Sequence, residues 1–413
     1  MKRNSIRIGV FGSRRGRALA LNAEAAGMTI VAVCDRSEKS LSEWEREGFA
    51  GSLYTDFEAL LRHDLDAVVI ANFFHQHAEY AIRALHAGLH VLCETSACRT
   101  LAEGVAVARA AEHSGKIYML SENFPYFSFY QEMRRLYRSD AIGRVMYAEG
   151  DYNNPVPTEV FNRRSTFIGH WRNYLPPTYY CTHALAPLMY MTDTMPVSVN
   201  ALSIATEDQE TYSIKRGDPG HATLCRMDNG AVFRLMGNSL AGKSYYSRLH
   251  GTRGLIENSR TSPEYVRVAH EPWDLREDEY TELVYKPEFP FLQEEARKSE
   301  HWGGDFYVCH AFAEALRSGR QPYLDVYRAL AMSAVGIVAW KSALNNGAPQ
   351  QVPDFRDENV RLQYEKDDWS PWPEDKRPGQ PYSSIRGELI PSNEAVARAE
   401  REWNAMKQGR AEP

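Results

Sequence analysis

The sequence predicts an α/β fold, with a doubly wound parallel sheet followed by an α+β domain that has an open, mainly antiparallel sheet. Two patterns predict it. Up to about residue 123, short apolar segments alternate with helix-like segments, whereas after residue 124 strand-like segments follow one another with few helices between them. The length of 413 residues agrees with this, because domains of roughly 150 residues would give two or three of them.

The first part of the chain has the β-α repeat that builds a parallel sheet covered on both faces. Its predicted strands are 7–11, 29–34, 67–71, 90–93 and 117–120, and its predicted helices include 41–47, 57–62, 78–87 and 101–114. Ligands of such sheets bind at the carboxyl ends of the strands, so we expect the functional site there.

The second part is predicted to be an antiparallel sheet followed by two helices. Its predicted strands are 145–154, 197–206, 221–227, 231–238, 246–250 and 255–258. Asp228, Asn229 and Gly230 predict a hairpin turn between two of them, because Asn and Gly tolerate positive φ. The helices, 305–318 and 325–345, each begin with an acidic residue and end near a glycine.

The last segment has a different composition. From about residue 354 the chain is rich in proline and charge, with one helix-like run at 394–407. We interpret this segment as an arm that wraps the body of the protein or a neighbouring subunit. The predicted domains are therefore 1–124, 125–353 and a C-terminal arm over 354–413.

The composition excludes several classes of protein. The formal net charge is −6 and no stretch concentrates basic residues, which argues against nucleic acid as a partner. The apolar runs are far shorter than the roughly 20 residues that span a bilayer, and Arg7 interrupts the apolar region that a signal peptide needs. We therefore expect a cytoplasmic protein without a membrane partner. The six cysteines lack CxxC spacing, so we expect reduced, buried thiols; no metal site is predicted.

A nucleotide-binding turn is the first candidate site. The first predicted strand runs into Gly12, Ser13, Arg14, Arg15 and Gly16, and a helix-like segment follows. Glycine here lets the backbone approach a pyrophosphate, and the helix N-terminus supplies amide hydrogens. The motif departs from GxGxxG, because Arg14 stands at the second glycine position and Gly16 comes one residue early. A plain tight turn is the alternative.

The end of the second strand indicates which cofactor binds. Asp35 lies about 20 residues after the turn, where a carboxylate can accept hydrogen bonds from the adenosine ribose, and this favours NAD. Arg36 follows, and an arginine there can hold the 2′-phosphate of NADP or simply be exposed. NADP therefore stays open.

Polar residues also follow the later predicted strands, at the sheet edge where the nicotinamide should lie. We expect cofactor contacts from Asn72, His75, His77, Glu94 and Asn123. For His75, capping of a helix is the alternative role.

Five further segments carry a resemblance to a known family. They are Tyr54-Thr-Asp-Phe-Glu-Ala-Leu-Leu, Asp66-Ala-Val-Val-Ile-Ala71, His75-Gln-His77-Ala-Glu, Ala81-Ile-Arg-Ala-Leu-His-Ala-Gly-Leu-His-Val-Leu-Cys-Glu94 and Ile142-Gly143. With the glycine turn, residues 6 to about 150 resemble the glucose-fructose oxidoreductase, inositol dehydrogenase and rhizopine-catabolism (Gfo/Idh/MocA) family. The resemblance implies an NAD(P)-binding Rossmann domain over 1–124, a substrate and oligomerisation domain over 125–353, and a homo-oligomer, either dimer or tetramer.

Two departures from this family concern its chemistry. The family's strand-end motif is usually Glu-Lys-Pro, with the lysine as proton relay, but this chain has Glu94-Thr95-Ser96. Many members also have an aspartate four residues before a catalytic histidine, and the position four before His183 is Tyr179. The usual dehydrogenase apparatus is thus altered at two places.

Short motifs in the second part carry a further resemblance. They are Glu122-Asn123, Tyr147-Ala-Glu-Gly150, Trp171-Arg172, Tyr180-Cys-Thr-His183-Ala-Leu-Ala-Pro187 and His301-Trp-Gly-Gly-Asp305-Phe306. They resemble the NAD-dependent glycoside hydrolases typified by α-N-acetylgalactosaminidases, with Ala186 in place of that branch's glycine. This implies that NAD+ oxidises a sugar hydroxyl, a base removes the C2 proton, the C1 substituent is eliminated, water adds and the hydride returns.

His183 and Tyr180 are the predicted proton carriers. Histidine has an ordinary pKa of about 6.5 and can act as acid or base near pH 7. Tyrosine, with an ordinary pKa of about 10, needs a cationic neighbour such as the nicotinamide ring or Arg172. The alternatives are a hydrogen-bonded histidine at a helix start and an aromatic pocket wall. The residues predicted to contact a carbohydrate substrate are Trp171, Arg172, Tyr179, His301 and Asp305. Asp305 alternatively caps its helix.

Three functions stay open at this point. The first is an NAD(P)-dependent oxidoreductase that acts on a sugar, polyol or glycoside by hydride transfer. The second is an NAD-dependent glycoside hydrolase that recycles its cofactor, which the His183 segment and the missing lysine favour. The third is a non-catalytic NAD-binding sensor or assembly protein, which the altered glycine turn permits but the retained histidine argues against.

Overall fold

A computed structural model describes residues 5–207, 209–375 and 377–408. Its strands are β1 Ile6–Phe11, β2 Met28–Cys34, β3 Ser52–Tyr54, β4 Ala67–Ile70, β5 His90–Cys93, β6 Tyr118–Leu120, β7 Val145–Asn153, β8 Pro196–Ile204, β9 Gly220–Met227, β10 Val232–Asn238, β11 Ser244–Gly251, β12 Gly254–Asn258, β13 Val266–His270, β14 Glu282–Tyr285 and β15 Gln350–Gln351. Its α-helices are α1 Ser13–Ala25, α2 Glu38–Arg46, α3 Phe57–Leu61, α4 His77–His86, α5 Leu101–Ser114, α6 Ser128–Arg138, α7 Thr158–Arg164, α8 Thr182–Thr192, α9 Gln209–Tyr212, α10 Gln293–Lys298, α11 Gly304–Ser318, α12 Val326–Leu344, α13 Glu358–Tyr364 and α14 Asn393–Lys407.

The first sheet has the order β3-β2-β1-β4-β5-β6, and every neighbouring pair is parallel. This confirms the predicted doubly wound sheet. The direction of winding reverses between β1 and β4, where such sheets open a crevice for ligands. β3 was not predicted, because its three half-buried residues make no apolar run that the pattern could show.

The second sheet has the order β14-β13-β12-β11-β7-β10-β9-β8-β15. Its neighbouring strands are antiparallel except β7 and β10, which are parallel. The prediction of a mainly antiparallel sheet is therefore confirmed. β9 and β10 form the predicted hairpin, in which Gly230 has a φ of 85°.

Few helices interrupt these strands, as expected: α7 and α8 lie between β7 and β8, and the four-residue α9 lies between β8 and β9. α6 and α8 contact each other, α8 contacts β7, and α12 contacts β8, so helices cover one face of the second sheet. α8 was not predicted, for two reasons. It is apolar on nearly all sides, so its sequence does not alternate between apolar and polar faces, and Pro187 interrupts the helical pattern.

Later parts of the chain return to pack on earlier ones. α11 contacts α1, and the amide of Leu120 in β6 donates to the carbonyl of Leu324 at 3.0 Å. The C-terminal segment is anchored too, since the indole Nε1 of the buried Trp372 donates to the carbonyl of Trp171 at 3.1 Å. The predicted domain boundaries stay predictions, and residues 1–4 and 409–413 within them lie outside the described residues.

Two further findings concern the bulk properties. All six cysteines are free and buried, as expected. No helix among the described residues combines the length and apolar character needed to cross a membrane.

Candidate active site

A cavity of about 410 Å³ lies where the carboxyl ends of β4, β5 and β6 face the second sheet. Its lining includes Arg15, Asn72, His77, Glu94, Asn123, Tyr152, Trp171, Arg172, Tyr180, His183, Tyr245 and His301. Most of the predicted site residues are therefore brought together, from parts of the chain almost 290 residues apart. We call this space the inner cavity.

The glycine turn meets the steric demands of a nucleotide loop. Gly12 has a φ of 94°, and a Cβ on it would lie 2.4 Å from the carbonyl carbon and oxygen of Ala71. A Cβ on Gly16 would lie 2.5 Å from a methyl group of Val10, so this glycine allows α1 to pack closely on β1. Gly12, the N-cap of α1, has no side chain to cap it, and Asp35 occupies only the amide of Ser13, so the rest of the helix N-terminus is open to an anion.

Asp35 and Arg36 already have partners within the protein. One carboxylate oxygen of Asp35 accepts from the amide of Ser13 at 2.7 Å and from its hydroxyl at 2.6 Å. Asp35 thus ties the turn to the end of β2. Arg36 donates to the hydroxyl of Tyr80 at 2.6 Å, and Arg14 is exposed.

The structure offers an observation that fits NAD beyond the turn itself. Asn72 follows β4 at the switch point, lines the inner cavity, and has a buried Oδ1 without a hydrogen-bond partner. Such an orphaned polar atom beside an open helix N-terminus fits a polar ligand in the crevice.

Arg15 contacts carboxylates from two distant parts of the chain, Glu94 after β5 and Asp305 in α11. Its Nε donates to Glu94 at 2.6 Å, and its Nη1 and Nη2 donate to the two oxygens of Asp305 at 2.9 and 2.6 Å. Asp305 is fully buried and also accepts from Asn123 at 2.7 Å and lies 2.9 Å from His301 Nδ1. Burial raises the pKa of Asp305, but the hydrogen bonds from Arg15 and His301 outweigh it and hold the pKa well below its usual range.

This arrangement changes the predicted role of Asp305. Its carboxylate is occupied by Arg15 beneath the inner cavity, and it does not cap α11, whose N-cap is Gly303. Ligand atoms of Glu300, His301 and Asp305 lie within 4.8 Å of one another, but the guanidinium of Arg15 already neutralises Asp305. The absence of a metal site stays a prediction.

His183 is held by a buried carboxylate. It is the second residue of α8, and its Nδ1 lies 2.8 Å from both oxygens of the fully buried Glu122. Its ring stacks on Phe124 at 4.7 Å and meets the edge of Tyr152 at 4.5 Å. Because Nδ1 is engaged, Nε2 is the nitrogen left for the inner cavity.

Tyr180 has the cationic neighbour that the sequence analysis named. Nη1 of Arg172 donates to the Tyr180 hydroxyl at 3.2 Å, and the guanidinium lies over the ring of Trp171 at 4.4 Å. Trp171 in turn stacks on Phe74 at 5.4 Å. The hydroxyl of Tyr180 is therefore held at the cavity wall by a fixed cation.

Three predicted site residues have mainly internal contacts. Tyr179 is buried and its hydroxyl donates to the carbonyl of Arg99 at 2.9 Å, outside the inner cavity. His75 stacks on Trp372, with its Nε2 3.3 Å from Glu374. His77 reaches the inner cavity but is buried, with its nitrogens 3.0 Å from the carbonyl of Ser96 and 3.3 Å from that of Asn72.

Sequence reasoning missed the part that Glu122 has in the site. The motif containing it was noted, but only Asn123 was proposed as a contact. The available signal was its position two residues after the end of β6, at the same sheet edge as Glu94. Tyr152 and Tyr245 were also missed, because they lie within strands of the second sheet and carry no local motif.

Comparison with known proteins divides the chain into two matched regions. Residues 6–122 match the family described as "Oxidoreductase family, NAD-binding Rossmann fold", and residues 132–361 match "Glycosyl hydrolase 109, C-terminal domain". A "Glycosyl hydrolase family 109 protein" of Solibacter usitatus is 28% identical over 392 residues, which cover 85% of this chain and 88% of that protein. A "Glycosyl hydrolase family 109 protein 1" of Bacteroides thetaiotaomicron is 25% identical over 407 residues, covering 86% and 85%.

Solved oxidoreductases share the fold. A levoglucosan dehydrogenase in complex with NADH and L-sorbose matches with a TM-score of 0.72 at 19% identity, over 85% of this chain and 100% of that one. An aldose-aldose oxidoreductase from Caulobacter crescentus, complexed with glycerol, matches with a TM-score of 0.69 at 16% identity, over 84% and 99%.

Proposed function

Since the chain belongs to the glycosyl hydrolase 109 family and carries an NAD-binding Rossmann domain, we propose that it is an NAD-dependent glycoside hydrolase. The reaction would consist of transient oxidation of the sugar, elimination of the C1 substituent, addition of water and re-reduction. The observation that carries the proposal is the pairing of His183 with Glu122 and of Tyr180 with Arg172 in one cavity. The family match favours an enzyme over a non-catalytic sensor.

The proposed NAD site uses the edge of the first sheet. The open N-terminus of α1 and the turn at Gly12 would take the pyrophosphate, Asp35 the adenosine ribose, and Asn72 and Glu94 the nicotinamide end. A 2′-phosphate would have to compete with Tyr80 for Arg36, which supports NAD rather than NADP. When bound, NAD supplies a reversible hydride acceptor beside the sugar.

His183 would handle the proton of the sugar hydroxyl that is oxidised. With its Nδ1–H donated to Glu122, the lone pair of Nε2 can accept the hydroxyl proton as the carbon loses its hydride. The buried carboxylate of Glu122 fixes this tautomer and stabilises the imidazolium that results. The same proton returns to the oxygen in the final reduction.

Tyr180 would handle the proton on the carbon beside the new carbonyl. Oxidation acidifies this carbon, and the phenolate of Tyr180 can take its proton while the C1 substituent leaves. Arg172, 3.2 Å from the phenolic oxygen, supplies the positive charge that such an anion needs. Water then adds at C1 in place of the substituent that has left, and Tyr180 returns a proton to the neighbouring carbon.

The test is proton NMR in D2O with catalytic NAD+ and a panel of α- and β-linked glycosides, N-acetylgalactosaminides included, while NADH absorbance is followed. We expect release of the aglycone, deuterium at C2 of the sugar and no net NADH. Stoichiometric NADH with an intact glycosidic bond would instead make the protein a plain sugar dehydrogenase.

We also propose that the protein is a homo-oligomer, dimer or tetramer, that associates through the open face of the second sheet. Support comes from the exposed apolar side chains of β8 and β9, Val197, Leu202 and Leu224. The cytoplasmic location stays a prediction.

A further inference from the structure

A second cavity, of about 210 Å³, continues from the inner cavity past its aromatic wall. Five residues line both spaces: Tyr152, Asn154, Arg164, Arg172 and Tyr180. The lining residues of the second cavity all fall between 152 and 239, so the first sheet contributes none of them. A ligand group there would lie beyond the reacting sugar, on the side away from NAD. We call this space the outer cavity.

The lining of the outer cavity is cationic. It contains Arg164, Arg172 and Lys215, and it contains no Asp or Glu among the described residues. The Nε of Arg172 is buried and has no hydrogen-bond partner. Neither Arg164 nor Lys215 forms an ion pair with a carboxylate in the described part of the chain. Three cations without a counter-ion are costly to hold together, so an anion there would be stabilised by all three.

Lys215 has one acidic neighbour, Asp218, but forms no ion pair with it among the described residues. Burial lowers its pKa to about 8, and Asp218 opposes this shift only in part. Asp218 is itself committed, because it accepts from the hydroxyl of Ser384 at 2.6 Å and from the amide of Ile385 at 3.1 Å. The ammonium group of Lys215 is therefore open to a partner from outside the protein.

The rest of the outer cavity suits a carbohydrate or aromatic group. Gln209, Asn238 and Ser239 offer neutral hydrogen-bonding groups, and Phe161 and Tyr212 offer apolar surface. Such a mixture of aromatic faces and polar groups binds sugar rings and aryl groups, whereas the cations select charge.

We propose that the outer cavity binds an anionic group, a carboxylate, sulfate or phosphate ester, on the part of the glycoside that leaves when the C1 bond breaks. Lys215 and Arg164 are the residues that select the charge. The preferred substrates are therefore glycosides with an acidic leaving group. This inference rests on the proposed function, because it takes the inner cavity to hold the reacting sugar.

The test measures binding without turnover, in full-length protein saturated with NADH, which cannot begin the oxidation. Calorimetry compares the 4-carboxyphenyl glycoside and the 4-O-sulfate and 4-O-phosphate esters of the 4-hydroxyphenyl glycoside with the neutral 4-carbamoylphenyl glycoside, in the sugar series of the panel that the protein binds best. We expect the acidic compounds to bind about tenfold more tightly than the carbamoyl compound, as charge-assisted hydrogen bonds require. The order among the three shows which anion is preferred. Equal affinity for the neutral and acidic compounds would overturn the proposal.

Variants locate the effect. In Lys215→Met and in Arg164→Gln we expect the ratio of acidic to neutral affinity to fall from about ten to a value between about one and three. The control is Arg163→Gln, one residue away on α7 and outside both cavities, which should keep the wild-type ratio. An unchanged ratio in Arg164→Gln would refute the assignment even if Lys215→Met does not fold. Cleavage of the neutral glycoside is assayed separately, so failure of the proposed function is distinguishable from failure of this inference.

Discussion

His183 is the side chain on which the proposed chemistry depends most directly. Its Nε2 is the nitrogen that Glu122 leaves free for the inner cavity. We expect His183→Ala to lower kcat by ~10²- to 10⁴-fold, the usual contribution of a general acid-base group. NADH affinity, measured by fluorescence titration, should stay unchanged. The exposed His113 on α5 provides the control, as His113→Ala. Undiminished turnover would remove His183 from the mechanism.

Glu122 is a positioning residue rather than a catalytic one. In Glu122→Gln the amide can still contact Nδ1, but it carries no charge to stabilise the imidazolium and can favour the wrong tautomer. We expect kcat to fall by roughly 10- to 100-fold with little change in KM, and Glu122→Asp to recover part of the loss. Steady-state kinetics checks this. A change confined to KM would show that Glu122 acts on substrate binding instead.

Local sequence motifs alone predicted several residues of the candidate site. Motifs identified His183, Tyr180, Trp171 and Arg172, which the structure brings to one cavity. The pairing of His183 with Glu122 joins residues 61 positions apart, so no local pattern can predict it. Tyr179 was misplaced for the opposite reason, since adjacent residues in the 3₁₀ turn Pro177–Cys181 point in different directions and only Tyr180 lines the cavity.

The turn between β1 and α1 can be tested with a matched pair of glycines. Gly12 and Gly48 have φ values of 94° and 85°. A Cβ added to Gly12 would lie 2.4 Å from backbone atoms of Ala71, whereas a Cβ added to Gly48 would have no other atom within 4 Å. Gly48→Ala should therefore cost about 1 kcal/mol of stability from strained φ alone, with NADH affinity unchanged. Gly12→Ala should displace the turn and weaken NADH binding by at least ~10-fold, which corresponds to ~1.4 kcal/mol. Fluorescence titration and thermal unfolding measure both. Equal NADH affinity in the two variants would contradict this account.

Most helices and strands could be predicted, because their apolar residues recur in the sequence at the spacing typical of a helix or a strand. β5 and α5 were predicted with their exact bounds, since both sit in a simple β-α repeat. The parallel pairing of β7 with β10 could not be predicted, because it brings together strands that are separated by β8 and β9 in the chain. Strand patterns show which residues are buried, but not which distant strand lies beside them.

β9 contains a buried histidine that should make stability depend on pH. Burial lowers the pKa of His221 from 6.5 to about 4. Between these pH values the unfolded chain binds a proton that the folded chain does not, so stability is present above pH 6.5 and is lost as pH falls towards 4. The free energy of unfolding should therefore decrease between pH 7 and pH 4.5. We expect this decrease to be smaller by roughly 2 kcal/mol in His221→Gln than in the wild type.

Urea unfolding at the two pH values measures this difference. Glutamine does not titrate but can still hydrogen-bond Thr223, which lies 3.0 Å from His221 Nδ1. His113→Gln, at an exposed position, should leave the pH dependence unaltered. An identical pH dependence in His221→Gln and wild type would mean that His221 is not held neutral.

The molecule as a whole is assembled by contacts between distant parts of the chain. The ion pair of Arg15 with Asp305 spans 290 positions, and Trp372 of the C-terminal segment supports Trp171 behind the inner cavity. The site is therefore complete only when all these parts are folded together, which is why the predicted domains explain its location but not its geometry.

The open face of the second sheet is the surface through which we propose that copies of the protein associate. Helices cover one face of this sheet, while Leu202 and Leu224 lie on the other with 60% and 48% of their surface exposed. The register pairs Leu224 with Asn200, two residues from Leu202, so both side chains point the same way. If copies associate there, an aspartate at each position buries an unpaired charge, and we expect the dissociation constant to rise by at least ~10-fold.

Sedimentation velocity of Leu202→Asp/Leu224→Asp measures this shift towards monomer. Leu362→Asp changes an equally exposed leucine, 56% exposed on α13, and should leave the oligomer intact because α13 lies outside the sheet. Circular dichroism confirms that each variant is folded, since neither leucine belongs to the core. A monomeric wild type, or a double variant that associates as tightly as the wild type, would show that apolar exposure on β8 and β9 has another cause.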